Sequence, residues 1–259
     1  MKSVLTIAGS DCSGGAGIQA DIKTLTVHKV FATSVITAVT AQNTCGVSKV
    51  ESLAPNMIES QIVSVMEDIF PDAVKVGMLD CKETVDIVVK MLKKYAPKNV
   101  VVDTVMISSS GRRLLAESAM QAYIEELLPM ADVITPNIPE AEILTGIKIT
   151  DDTSRQRAME KLAKRYPAAI LMKGGHHTQS ADDWLMVRGK LVCYSGKRID
   201  NLNTHGTGCT LSSAIAANLA LGCPIEESVE KAKEYITGAI AAELKLGRGT
   251  GPLNHMWCG

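Results

Sequence analysis

The sequence predicts an α/β fold in which a mostly parallel central sheet is covered by helices on both faces. Short β-branched, apolar runs alternate with longer amphipathic segments along the whole chain. Strands that are apolar throughout need cover on both faces, and a helix after each strand returns the chain for a parallel neighbour. Because the sequence contains no linker, low-complexity tract or internal repeat, we expect residues 1–259 to form one domain.

The elements follow from these patterns in chain order. The six β-branched runs that predict strands are residues 4–9, 33–40, 73–76, 99–102, 132–135 and 169–172. The six amphipathic segments that predict helices are residues 15–28, 55–70, 82–95, 114–128, 139–145 and 153–165. Two short strands, 184–187 and 191–194, flank Arg188-Gly189-Lys190, which predicts a hairpin at a sheet edge. Two long helices, 207–221 and 225–246, end the fold.

Composition narrows the class of protein. Hydrophobic residues make up 46% of the chain and charged residues 21%, and the formal net charge of −1 gives no electrostatic basis for binding nucleic acid or an anionic membrane. We find neither a signal peptide nor an apolar run of the roughly 20 residues needed to span a bilayer. The seven cysteines are scattered without a C-x-x-C pair, so we expect a reduced, cytoplasmic protein with neither zinc nor disulfides. His176 and His177 are adjacent and are expected to be loop residues rather than metal ligands.

The most informative segment is residues 203–213, in which a glycine turn leads directly into a helical pattern. Such a turn presents unpaired N–H groups beside the positive end of the helix dipole, and it binds anions without a side chain. Cys209 lies in the first turn of this helix, where a thiolate is favoured. An anion site that holds a possible base or nucleophile favours phosphoryl or acyl transfer. The alternative is an ordinary glycine-led N-cap.

A second glycine motif, residues 15–20, matches the dinucleotide-binding pattern G-x-G-x-x-G/A. That interpretation needs an acidic residue about 20 positions later to bind ribose, but residues 34–42 contain none. The loop before Gly15 is also too long for the tight strand-to-helix turn, and the P-loop consensus is absent. The sequence therefore argues against a dehydrogenase and against a P-loop enzyme.

Polar side chains follow the predicted strands where ligands bind in an open α/β sheet. Asp103 follows one strand, and Asn137 and Glu140 follow the next. These carboxylates could hold hydrated magnesium and through it nucleotide phosphates. Asn137 and Glu140 equally fit a helix N-cap and its N3 acid. Lys173 ends a strand before two glycines and could reach phosphate, although a lysine at such a position is otherwise usually solvated.

Taken together, these segments resemble the ribokinase superfamily and, within it, the hydroxymethylpyrimidine/phosphomethylpyrimidine kinases of thiamine biosynthesis. The resemblance extends almost end to end and is carried by residues 8–11, 13–21, 37–44, 75–79, 102–106, 135–142, 172–176 and 203–210. It implies a ribokinase-like three-layer sandwich. It also implies ATP-dependent phosphorylation of 4-amino-5-hydroxymethyl-2-methylpyrimidine to its monophosphate and then to the diphosphate.

The resemblance assigns roles to the residues at matching positions. It implies that the pyrimidine pocket is lined by Gly9, Asp21, Gln42, Met78 and Val105. It implies that Mg²⁺ is bound by Asp103 and Glu140, and that ATP is contacted by Lys173, Thr207, Lys233 and Asn137. It also implies a catalytic set that consists of an anion hole at Gly206, Thr207 and Gly208 and a base, Cys209.

Two alternatives stay open at this point. Most ribokinase-type sugar kinases have an aspartate as the base, and a cysteine at position 209 marks a vitamin-kinase branch that includes pyridoxal kinases. A pyridoxal or pyridoxine kinase on the same scaffold is therefore the alternative function, and a non-catalytic pyrimidine-binding protein is a remote one. Relatives of this kind are often dimers, so we expect a homodimer.

Overall fold

The computed structural model describes residues 1–106, 114–174 and 181–258. Its strands are β1 (Ser3–Asp11), β2 (Phe31–Asn43), β3 (Gly46–Ser52), β4 (Ala73–Val76), β5 (Val100–Val102), β6 (Val133–Ile134), β7 (Ala169–Met172), β8 (Asp183–Val187) and β9 (Lys190–Tyr194). They form one sheet in the order β3-β2-β1-β4-β5-β6-β7-β8-β9. The pairs from β2 to β7 are parallel, whereas β3 at one edge and the β8–β9 hairpin at the other are antiparallel. One continuous sheet supports the interpretation as a single domain.

Helices cover both faces of this sheet. They are α1 (Gly17–Val27), α2 (Pro55–Met66), α3 (Lys82–Tyr95), α4 (Glu117–Ala122), α5 (Ile138–Thr145), α6 (Asp152–Arg165), α7 (Thr207–Ala220) and α8 (Ile225–Ala241). Helices α2 to α6 pack on one face, and α1, α7 and α8 pack on the other. Within β5 the side chains of Val100 and Val102 join the first core and that of Val101 joins the second, because successive residues of a strand point to opposite faces. The predicted three-layer α/β fold is confirmed.

Strand β3 and the helix at residues 114–128 differ most from the sequence-based prediction. In addition, α2 ends at Met66 instead of residue 70, and α8 ends at Ala241 instead of residue 246. Strand β3 was not predicted, because nearly all its residues are exposed and show no apolar alternation. It is held by backbone pairing with β2, from Ala38 opposite Ser52 to Asn43 opposite Gly46. The helix predicted over residues 114–128 is α-helical only in α4. It continues as a π turn (Tyr123–Leu127) and a short 3-10 turn (Leu128–Met130) that contains Pro129, which has no N–H to donate.

The segment that follows α8 runs back over the carboxyl edge of the sheet. The hydroxyl of Thr44, in the turn between β2 and β3, accepts hydrogen bonds from the N–H groups of Arg248 (3.1 Å) and Gly249 (3.2 Å). The N–H of His205 donates to the carbonyl of Gly251 (3.2 Å), just before α7 begins. This C-terminal segment therefore joins the β2–β3 turn to the N-terminus of α7. Among the described residues, no helix has the length and apolar character needed to cross a membrane.

Candidate active site

Helix α7 begins where the first loop of the chain packs against it. Gly206, its N-cap, has φ +83°, and a Cβ there would overlap the carbonyl oxygen of Gly15. Only glycine fits both the left-handed backbone and this close approach. Thr207, Gly208 and Cys209 form the first turn, where helix N–H groups lack partners within the helix. The structure thus places the predicted anion hole at a true helix N-terminus.

An ion pair between a partly buried lysine and a buried aspartate lies directly beside this N-terminus. The ammonium of Lys173 is 2.7 Å from Oδ1 of Asp103, which also accepts a hydrogen bond from Thr135 (3.1 Å). A Cβ built on Gly208 would be 3.4 Å from Oδ2 of Asp103 and 3.5 Å from Nζ of Lys173. Burial alone would raise the pKa of Asp103, but the positive charges of Lys173 and Lys75 lower it. The structure therefore brings an anionic group, a cationic group and the predicted anion hole together.

Glu140 lies at the next strand end, and it is buried. It forms a capping box with Asn137: Asn137 Oδ1 accepts from the Glu140 N–H (2.9 Å), and Glu140 Oε2 accepts from the Asn137 N–H (2.9 Å). Glu140 also accepts from the hydroxyl of Thr104 (2.8 Å). Burial and the charge of Asp103 raise the pKa of Glu140, against the opposing effect of Lys173. The structure shows the helix cap that the sequence left open as an alternative. In this position the Glu140 carboxylate is still close enough to Asp103 and Lys173 for their charges to affect its pKa.

Asp21 has a different place from the one expected. Its carboxylate is completely buried and accepts hydrogen bonds from Lys75 (2.8 and 2.9 Å), Thr6 (2.6 Å) and Ser213 (2.8 Å). With both oxygens occupied by protein donors, Asp21 does not face an open pocket as a substrate ligand. Instead, its hydrogen bonds hold α1, β1, β4 and α7 together.

Cys209 carries a protonated thiol in this arrangement. Burial, together with the negative charges of Asp21 and Asp103, raises its pKa to about 11, although Lys75 and the N–H of Gly17 act in the opposite direction. The expectation that the helix N-terminus favours a thiolate here is therefore corrected. Desolvation of the thiolate and the two nearby carboxylates outweigh the stabilising groups.

The other predicted pocket residues lie near the same sheet edge. A Cβ on Gly9 would be 2.6 Å from Cε of Met78, so the glycine leaves room for that side chain. Gln42, near the end of β2, is partly buried, and its side-chain nitrogen is 3.0 Å from Nε2 of His205. Val105 is partly buried two residues after Asp103. These positions are compatible with a shared wall, and the pocket-lining roles stay predictions.

Lys233 does not stand free to reach a phosphate. Its ammonium is paired with the carboxylate of Asp183 (2.6 Å) and also donates to the carbonyl of Ala181. Asp183 in turn accepts from the N–H of Gly174 (2.6 Å), the residue after Lys173. The direct contact with phosphate predicted for Lys233 is therefore corrected. In this structure Lys233 binds Asp183, which in turn holds the backbone next to Lys173. His176 and His177 lie outside the described residues.

Comparison with known proteins identifies the family. A model of the phosphomethylpyrimidine kinase family matches residues 11–254. A hydroxymethylpyrimidine/phosphomethylpyrimidine kinase from Haemophilus influenzae is 46% identical over 260 residues, covering 98% of this chain and 97% of that protein. The chain belongs to the phosphomethylpyrimidine kinase family.

Solved structures place the family on a shared scaffold. A phosphomethylpyrimidine kinase from Clostridium difficile is 49% identical, covers 93% of this chain and 100% of its own, and superposes with a TM-score of 0.84. A Bacillus subtilis pyridoxal kinase in complex with ADP is 35% identical, covers 98% and 97%, and superposes with a TM-score of 0.91. The predicted ribokinase-like fold and family are confirmed, and the backbone is shared with the alternative kinase.

Three residues of this family site were missed by sequence reasoning. Asp11 ends β1 and accepts hydrogen bonds from Ser13 and Ala16 and from His205. Burial alone would raise the pKa of Asp11, but these hydrogen bonds lower it to about 2. The sequence feature that could have indicated Asp11 is its position directly before a serine- and glycine-rich turn. Lys75 could have been found because it is a single lysine inside an otherwise apolar strand. No local sequence pattern indicates that His205 faces Asp11.

The ion pair between Lys75 and Asp21 predicts an asymmetric response to mutation. Lys75→Met should destabilise the protein by about 3–5 kcal/mol, because it leaves the buried carboxylate without its counter-charge. Lys75→Met combined with Asp21→Asn should recover much of that loss. Urea unfolding monitored by circular dichroism measures both.

Lys82→Met, which removes a lysine from an exposed pair with Asp86, is the matched control and should change stability little. If Lys75→Met is as mild as this control, or if the double variant is no more stable than the single one, the two charges do not act as a buried pair.

Proposed function

We propose that this cleft transfers the γ-phosphoryl group of ATP to 4-amino-5-hydroxymethyl-2-methylpyrimidine and then to the resulting monophosphate. One observation carries the proposal: the N-terminus of α7 lies directly beside the Asp103–Lys173 pair, with Gly208 between them. Phosphoryl transfer needs positioned charge more than covalent chemistry. A family whose named members phosphorylate this class of pyrimidine supports the choice of substrate.

The residues act on the transferring group by position and charge. The N–H groups of Gly206, Gly208 and Cys209 would stabilise negative charge that develops on the phosphoryl oxygens, whereas the N–H of Thr207 donates to the carbonyl of Thr204 (3.3 Å). Lys173 would neutralise part of the charge of the triphosphate. Asn137, next to the backbone of Lys173, and Thr207, in the first turn of α7, would border the nucleotide. Gly9, Met78, Gln42 and Val105 would form the wall that binds the ring.

We propose that Cys209 accepts the proton of the substrate hydroxyl. Its pKa of about 11 means that the thiol must first release its own proton to bulk water, so the thiolate is a minor form at neutral pH in the free protein. Because burial raises the pKa of Cys209, the thiolate is a strong base once it has formed. Because the transition state of phosphoryl transfer is loose, the hydroxyl needs little activation before attack.

Magnesium fits the donor chemistry of the site. Asp103 follows β5 and Glu140 lies in the first turn of α5, and both are buried carboxylates. Their oxygens already accept hydrogen bonds from protein groups, so an ion here would be held through its own water molecules together with substrate phosphates, as Mg²⁺ often is. No group of three or more His, Cys, Asp or Glu side chains in the described part of the chain could hold a metal ion. We therefore propose a hydrated ion held by Asp103 and Glu140, whose charge would offset that of the phosphates.

A pyridoxal kinase on the same scaffold is the second candidate, favoured by the superposition with the Bacillus subtilis pyridoxal kinase. A parallel kinetic assay with ATP on hydroxymethylpyrimidine, its monophosphate, pyridoxal and pyridoxine separates the two. The first two substrates should give the higher kcat/KM. A preference for pyridoxal would reverse the assignment, and the absence of ATP consumption with all four acceptors would leave only a binding protein. The cytoplasmic location and the homodimer stay predictions.

Replacing Cys209 tests the proposed base. Cys209→Ala removes the proton acceptor and keeps the backbone N–H groups, so kcat should fall about 10²–10⁴-fold with little change in the KM for ATP. Inactivation by iodoacetamide should accelerate about tenfold per pH unit above neutral pH, because only the thiolate reacts and the pKa of Cys209 is raised.

The control for this test is mapping of the modified peptide, since the chain has seven cysteines. Near-full activity of Cys209→Ala would remove the cysteine from the mechanism. A rate of alkylation at Cys209 that does not vary with pH would show a thiolate already formed, contrary to the structure.

Asp103→Asn tests the metal proposal, because it keeps the shape of the side chain and removes its charge. We expect kcat to fall by about 10²-fold or more and the Mg²⁺ concentration for half-maximal rate to rise. Thr135→Val, which removes a neighbouring donor to Asp103 but no charge, is the matched control. An unchanged Mg²⁺ requirement in Asp103→Asn, with a lower melting temperature, would make Asp103 a structural residue.

A further inference from the structure

One imidazole nitrogen stands between two polar partners at the edge of the proposed pocket. Nε2 of His205 is 2.9 Å from Oδ2 of Asp11 and 3.0 Å from the side-chain nitrogen of Gln42. A carboxylate can only accept a hydrogen bond, and an amide nitrogen can only donate one. A single ring nitrogen cannot satisfy both partners in this arrangement.

The charge of Asp11 decides which role the imidazole nitrogen takes. Asp11 also accepts from the N–H groups of Ser13 (2.9 Å), Gly15 (3.2 Å) and Ala16 (2.9 Å), so it is held as a carboxylate. Nε2 of His205 must therefore carry a hydrogen, which it donates toward Asp11. A lone pair on Nε2 would instead face the negative oxygen at 2.9 Å.

Rotation of the Gln42 amide by half a turn removes the donor-to-donor contact. The Gln42 oxygen then shares the Nε2–H of His205 with Oδ2 of Asp11 as a second acceptor. The amide NH2 group faces the hydroxyl of Thr40, which lies 3.3 Å from the outer amide atom. That hydroxyl already donates to the carbonyl of Ser10 (3.0 Å), so it is free to accept. One hydrogen of the NH2 group is left without a protein acceptor in this network.

The imidazole cannot easily turn away from this position. A Cβ on Gly15 would be 2.5 Å from Cδ2 of His205, so the ring packs directly on the glycine backbone. The N–H of His205 is bonded to the C-terminal segment, and the next residue is the N-cap of α7. The ring is thus held between the first loop and the anion hole.

We propose that Asp11 and His205 are positioning residues that orient the Gln42 amide so that its NH2 group is presented to an acceptor nitrogen of the bound ring. This inference rests on the proposed function, in which Gln42 contacts the pyrimidine. Asp11 sets the tautomer of His205, and His205 orients the amide of Gln42. Gln42 then makes the contact with the pyrimidine. A ring that offers a nitrogen lone pair is then favoured over one that offers a donor at the same place.

Three variants test the chain of contacts by steady-state kinetics with hydroxymethylpyrimidine and ATP. His205→Phe keeps the ring packing and removes the donor, so the KM for the pyrimidine should rise about tenfold, as it should in Gln42→Leu, with a smaller change in kcat. His205→Gln supplies an N–H at a similar reach and should restore the KM to within about threefold of the wild type. The double variant His205→Phe/Gln42→Leu should match Gln42→Leu alone.

Ser13→Ala is the matched control, because it removes a hydrogen bond (2.7 Å) to the other oxygen of Asp11 and does not touch His205. Its KM should stay within about threefold of the wild type. A Ser13→Ala effect as large as that of His205→Phe would mean that loop disruption is being measured. Effects of His205→Phe and Gln42→Leu that multiply in the double variant would mean that His205 acts independently of Gln42. Either result overturns the proposal.

A second measurement does not depend on the substrate. Nitrogen-15 NMR of the ligand-free protein, with the His205→Phe variant to assign one of the five histidines, reports which imidazole nitrogen carries the hydrogen. The Nε2–H form is expected, and the Nδ1–H form would overturn the orientation. If the Nε2–H form is found but Gln42→Leu leaves the KM unchanged, the Asp11–His205 contact is as inferred and the pyrimidine contact in the proposed function is what fails.

Discussion

The buried ion pair between Asp21 and Lys75 is the interaction on which the rest of the site depends. It joins α1 to β4, and through the hydroxyls of Thr6 and Ser213 it also reaches β1 and α7. Two charges with no exposed surface must keep their partners, because an unmatched charge in the interior costs several kcal/mol. The position of α7, and therefore of the anion hole at its start, is fixed relative to the centre of the sheet.

Buried acidic side chains and lysines also lie close together along the carboxyl edge of the sheet. Asp21, Asp103 and Glu140 are three buried acids, and Lys75 and Lys173 are the two lysines that contact or face them. The excess of negative charge accounts, together with burial, for the raised pKa values of Cys209 and Glu140. A cation bound in the cleft would lower both. The free protein therefore keeps its proposed base protonated.

The sequence predicted those parts of the fold in which local pattern and tertiary role agree. The runs that became β4 and β7 are short, apolar and buried on both faces, and α3 was predicted at its observed bounds. Strand β3 could not be predicted, because its stability comes from pairing with β2 and not from its own side chains. The site shows the same division. The glycine turn before Cys209 is a local signal, whereas the contacts of Asp11 with His205 and of Lys233 with Asp183 join residues far apart in the chain.

Substrate choice in this family has to come from side chains on the pocket wall. The backbone superposes on that of a pyridoxal kinase at least as well as on that of a phosphomethylpyrimidine kinase, although the second is closer in sequence. The proposed anion hole would use main-chain N–H groups at the start of α7, and such groups bind a phosphoryl group whatever alcohol accepts it. An aminopyrimidine differs from a pyridine in its pattern of ring acceptors and exocyclic donors, and only directional groups can read that difference. In the arrangement we propose, Gln42 is such a group, and a histidine and an aspartate from the two loops beside the start of α7 set its direction. Under that proposal, recognition of the ring and stabilisation of the transferring phosphate would be coupled through the adjacent residues 205 and 206.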